Sequence, residues 1–98
     1  MDRATIVERI KSKEAAIRKG GATHLYLFGS RARGDNKPAS DLDVLVDYDP
    51  SDKFSIFDLI GIKLLLEDDL HLDVHVTTGR GLHPLMKDKF HAEAIRVF

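Results

Sequence analysis

GSRARGDNKPASDLDVLV, residues Gly29 to Val46, is the stretch whose reading decides the fold. An apolar, strand-like run, Leu25 to Phe28, leads into it. Gly29-Ser30 breaks that run, and Arg31-Ala32-Arg33 reads as the start of a short helix. A strand that ends in Gly-Ser at a helix N-terminus makes an anion site. Unpaired backbone N–H groups converge there, the helix dipole adds partial positive charge, and a hydroxyl adds a donor. Asp41 and Asp43 follow on the next strand, Leu42 to Tyr48. Alternate residues of a strand share a face, so both carboxylates aim one way. Hard oxygen ligands beside a phosphate cradle describe a site for Mg²⁺ and a nucleoside triphosphate.

Gly29 and Gly34 have the outer spacing of a P-loop, but Asp35 and Asn36 stand where that loop needs Lys and Ser or Thr. Without the lysine that reaches the phosphates, a P-loop NTPase is rejected. The pattern G-S-x-A-x-G at Gly29 to Gly34, then Ser40-Asp41-Leu42-Asp43 before an apolar run, resembles the minimal nucleotidyltransferase (MNT) domain of the DNA polymerase β superfamily. The resemblance covers nearly the whole chain. It implies a third carboxylate on a later strand, which Asp73 in Leu72-Asp73-Val74 fits. It also implies catalytic and metal-binding roles for Asp41, Asp43 and Asp73, and nucleotide binding at Gly29, Ser30, Arg33 and Ser40. Two Mg²⁺ ions and ATP as substrate go with that site. Solitary MNT domains resemble the antitoxin half of HEPN/MNT toxin–antitoxin pairs, which implies transfer of AMP to a tyrosine of a HEPN ribonuclease. The alternatives are a nucleotidyltransferase acting on a small molecule or nucleic acid held by a second subunit, and a non-catalytic antitoxin that neutralises by contact.

Ninety-eight residues make a single domain. Fifteen basic against sixteen acidic residues argue against a protein that coats nucleic acid. The absence of cysteine excludes disulfides, thiolate metal sites and a cysteine nucleophile. No run reads as a signal peptide or approaches membrane-spanning length, so the reading is cytoplasmic, with no membrane partner. Assembly with itself or with another chain is compatible with this reading.

The remaining elements are expected as an α/β fold, a mixed sheet of three or four strands with helices on one face and the cleft on the other. Helices are expected over Thr5–Lys19, Lys53–Leu66 and Pro84–Ala92. Strands are expected over Thr23–Phe28, Leu42–Tyr48 and Leu72–Thr77, with a short edge strand in Ala94–Phe98. The stripe Phe54, Phe57, Ile60 or Gly61, Leu64 and Leu65, widened by Ile56 and Leu59, is expected to pack the second helix, and Glu67-Asp68-Asp69 to end it. With Leu42, Val44, Val46 and Leu72, Val74, Val76 buried, Asp41, Asp43 and Asp73 emerge on the opposite face. His71 and His75 fall on one strand ~13 Å apart, which excludes zinc spacing. His75 shares a face with Asp73, which offers it a place lining the cleft, though the plainer reading is a surface histidine.

Overall fold

Asp2 starts the chain's first helix: its carboxylate accepts the Thr5 N–H at 2.8 Å and caps α1, Arg3–Ser12. The single expected helix is two. Ser12 donates its hydroxyl back to the Arg9 carbonyl, and Lys13 leaves helical geometry before α2, Glu14–Lys19, resumes. Ile6, Ile10 and Ile17 are buried across the break. The computed structural model describes residues 1–98. β1, Ala22–Phe28, pairs antiparallel with β2, Leu42–Tyr48, while β2 pairs parallel with β3, Val74–Thr78. A parallel pair needs a crossover, supplied by α4, Ile56–Leu70. β4, Ile95–Arg96, adds to the other side of β1 as the expected short edge strand. The sheet is mixed and four-stranded, in the order β3-β2-β1-β4.

One face carries the main core. Leu25 and Leu27 of β1, Val44 and Val46 of β2, and Val74 and Val76 of β3 pack with Ile6, Ile10, Ile17, Ile62, Leu66 and Leu70. The other face is covered in part by α5, Pro84–Glu93. There Phe90 meets Tyr26 and Phe28 edge-on, with ring centroids 5.7 and 5.4 Å apart, beside Leu45 and Leu82. The expectation of helices on one face thus holds for α1, α2 and α4, and α5 is added across the sheet.

α4 departs most from the sequence reading. A reciprocal cap between Ser55 and Asp58 sets its start, three residues later than expected. It runs through Glu67-Asp68-Asp69 to Leu70, because Ile62, Leu66 and Leu70 at four-residue spacing are all buried. That phase splits the expected stripe: Phe54, Leu59 and Leu65 pack against the core, while Phe57 is 80% exposed and Ile60 and Leu64 face water. Of the acidic residues Asp68 is exposed and Asp69 is partly buried toward Arg9 of α1, and Glu67 has a specific task. Its carboxylate accepts the Val74 N–H at 3.0 Å, while Lys63 Nζ donates to the Val74 carbonyl at 2.8 Å and to Glu67 at 2.9 Å. Two side chains of α4 therefore satisfy the backbone of β3 where its free edge begins.

Candidate active site

β1 ends at Phe28, whose partner across the ladder is Asp43. The chain then turns at Gly29 with φ 76° and ψ −159°, a region essentially reserved for glycine. A Cβ on Gly29 would lie 2.5 Å from Asp43 Oδ2. The missing side chain is what lets the turn lie against the carboxylate. Gly29 is also the N-cap of α3, Ser30–Arg33, so Ser30 is the first helical residue and its hydroxyl makes no capping bond. The first N–H groups of any helix lack partners within it, and here they are next to Asp43.

Asp43 is half-buried, its side chain 30% exposed, with His75 Nδ1 3.5 Å from Oδ1. Burial pushes the Asp43 carboxyl above its ordinary pKa; His75 pulls it down and the charge of Asp41 adds to the rise. Asp41 immediately precedes β2 and Asp73 immediately precedes β3. The Asp73 carbonyl accepts the Leu42 N–H at 2.9 Å. The ladder pairs Leu42 with Val74 and Asp43 with His75, which sets Asp41 alongside Asp73. Strand alternation therefore holds: Leu42, Val44, Val74 and Val76 are buried, and the acids lie on the other face.

The three aspartates are not gathered into one ready-made metal cage. No group of three or more His, Asp or Glu side chains comes together in a metal-holding arrangement. Asp43 and His75 line one cavity with Gly29, Thr77, His83 and Met86. Asp73 is exposed and borders a neighbouring depression with Pro38, Ser40, Glu67 and His71. The side chain beside Asp43 on β3 is His75, which is exposed, as expected of a surface histidine, and also lines the cleft. The period of two that placed it on the face of Asp73 was the signal for that second place.

The two arginines of α3 divide their work. Arg31 is 3% exposed, and its guanidinium donates to the Ser40 carbonyl at 3.0 Å and the Pro38 carbonyl at 3.3 Å. It ties down the loop that delivers Asp41, a role the sequence did not reveal. Arg33, expected at the nucleotide, instead bonds Asp35 at 2.9 Å and Glu93 of α5 at 2.8 Å, linking α3 to the helix across the cleft. The Ser40 hydroxyl, also expected at the nucleotide, accepts the Lys37 N–H at 2.9 Å and shapes its own loop.

Residues 6–97 match the family model of the nucleotidyltransferase domain. The chain belongs to that family. A Methanocaldococcus jannaschii relative assigned as a protein adenylyltransferase, MJ0435, is 38% identical over 92 residues, 93% of this chain and 97% of its own length. A solved minimal nucleotidyltransferase superposes with a TM-score of 0.81 at 34% identity, covering 97% of this chain and 95% of that one. The Shewanella oneidensis complex of a tri-AMPylated HEPN toxin with its MNT antitoxin gives a TM-score of 0.67 at 16% identity, over 98% and 71% of the two chains. That last likeness speaks for the fold alone. The protein is a nucleotidyltransferase of the minimal kind, and the Gly29 turn and the acids of β2 are its candidate site.

Proposed function

We propose that this nucleotidyltransferase transfers AMP from ATP to a hydroxyl of a partner protein, a tyrosine of a HEPN-family toxin. The observation that supports it most is Gly29 lying bare against Asp43, which sets a helix-starting backbone turn beside a carboxylate. In the reaction the acceptor oxygen attacks the α-phosphorus. A new O–P bond forms, the bond to the bridging oxygen breaks, pyrophosphate leaves, and the hydroxyl proton passes to a base.

The donor set fits a hard divalent cation. Mg²⁺ takes one or two carboxylates and fills its other positions with phosphate oxygens and water, so Asp41 and Asp43 would hold it without a third protein ligand. Burial and, to a lesser degree, the charge of Asp41 raise the pKa of Asp43, and a bound cation would offset both. When bound, the ion would neutralise charge on the phosphates and polarise the phosphorus under attack. The chain's own residues do the rest. The N–H groups at Ser30 and Arg31, with the Ser30 hydroxyl, would orient phosphate oxygens. Arg31 would keep Asp41 in place through the loop it anchors. Asp73, alongside Asp41, would be the third acid and the one nearest an incoming hydroxyl at the open end. The exposed Leu85 and Met86 of α5 give that side an apolar rim suited to another protein's surface.

The test is incubation with ATP, Mg²⁺ and the HEPN partner, followed by intact mass. The expected result is a gain of AMP units on the partner's tyrosine, lost with Asp43→Asn. Tight binding with no mass change under any nucleotide would instead mean neutralisation by contact.

A further inference from the structure

α4 carries a second unexplained surface. Its sequence, IFDLIGIKLLLEDDL, carries apolar residues on two sides of the helix, interrupted by Asp58, Lys63, Glu67, Asp68 and Asp69. Yet only the side of Ile62, Leu66 and Leu70 is covered. The fully exposed positions of α4 are Ile56, Phe57, Ile60, Gly61, Leu64 and Asp68. At 100° per residue they form one continuous arc. Its exposed members are apolar except for Asp68, a carboxylate near the helix C-terminus where the dipole disfavours it, and the partly buried Glu67 falls within the same arc. Contiguous apolar patches of this kind mark interaction sites.

We infer that this arc is a self-association surface, on which α4 of a second copy packs antiparallel about a two-fold axis between Ile60 and Gly61. The pattern is self-complementary in that arrangement. Phe57 of one copy lies opposite Leu64 of the other, and Ile60 lies opposite Gly61. A Cβ added at Gly61 meets nothing within 4 Å, so the position is an open hole for the partner's isoleucine. The exposed Lys53, in the non-helical segment three residues ahead of α4, would lie toward Asp68 of the second copy and supply the cation that the helix C-terminus lacks. An isologous contact uses every one of these pairs twice.

The side chains of Ile56, Phe57, Ile60 and Leu64 are 66, 80, 43 and 57% exposed. Covering them buries about 900 Å² over both copies, below the ~1,200–2,000 Å² of tight interfaces. The dimer is therefore reversible and concentration-dependent. Because α4 lies on the sheet face away from Asp43, both clefts stay open and point outward. The inference does not depend on the acceptor proposed above.

Sedimentation velocity across roughly micromolar to millimolar protein tests it. The expected result is a sedimentation coefficient rising with concentration toward a dimer. Ile60→Glu places like charges at the axis and should hold the chain monomeric, with its circular dichroism unchanged. Phe57→Ser, at the most exposed position of the arc, should weaken association without loss of fold. Lys53→Asp and Asp68→Lys should each shift the midpoint to higher concentration, and the two together in one chain should restore it. A monomer at every concentration overturns the inference, as does a dimer indifferent to Ile60→Glu. Protection of the arc only after adding the HEPN partner would assign the surface to that protein and equally overturn self-pairing.

Discussion

Substituting Gly29 with alanine tests the geometry of the site most directly. Two costs are separable. The backbone at φ 76°, ψ −159° lies where a residue with a Cβ is strained by ~1–3 kcal/mol. The new Cβ would also meet Asp43 Oδ2 at 2.5 Å, so the carboxylate must move within a paired strand, an overpacking cost of ~1–3 kcal/mol. Each kcal/mol shifts the midpoint of a domain this size by ~4–8 °C, so Gly29→Ala should lower the thermal midpoint by at least ~10 °C. In an Asp43→Ala background the offending oxygen is gone, and the same glycine substitution should cost only the backbone part. Urea or thermal denaturation of the four chains gives the coupling, expected at ~1–3 kcal/mol for groups in contact. An unchanged midpoint in Gly29→Ala, or an equal cost in both backgrounds, would refute the reasoning.

Asp43→Asn has a pH signature. An acid whose folded pKa is raised favours the fold while protonated, a contribution present below the ordinary aspartate value and lost as pH rises through the raised one. With chelator present, Asp43→Asn should therefore gain thermal midpoint over the parent at neutral pH, and the gain should vanish at acid pH; a flat difference would contradict the burial of that carboxyl. Arg31→Met removes a buried guanidinium and strands two carbonyls, so urea denaturation should show a loss of ~2–3 kcal/mol, with faster amide exchange over residues 38–41. Ser30→Ala should slow AMP transfer by ~10²–10³, the effect of deleting one donor to a developing charge, with stability unchanged; full activity would remove the hydroxyl from the phosphate site. Mg²⁺ with ATP at ~100 times the dissociation constant should stabilise the chain by ~2.7 kcal/mol, and an equal shift in the Asp41→Asn/Asp43→Asn chain would place the ion elsewhere.

The strands were legible because their burial alternates: Leu25 and Leu27, Val44 and Val46, and Val74 and Val76 could face only one core. The same alternation put Asp41, Asp43, Asp73 and His75 on the far face. It could not tell which of Asp73 and His75 stands beside Asp43, because that follows from the parallel register, which pairs Asp43 with His75, and alternation alone does not fix register. α4 was misread for a different reason. A helix apolar on both sides contains two credible stripes, and only the burial of Leu70 selects the one through Ile62 and Leu66. Arg31 and Arg33 look alike in sequence; one is enclosed beneath a loop and the other ties two helices, a difference set by chain segments far from either.

The grip of Lys63 and Glu67 on Val74 bears on how this protein behaves when crowded with its own kind. β3 is a sheet-edge segment, VHVTT, rich in β-branched residues, the sort that templates fibrils once its backbone is free. At the start of that edge, both polar groups of Val74 are already engaged by α4. Strand addition over Val74 must first displace two side chains, so the start of this edge is guarded by a helix rather than by the strand itself.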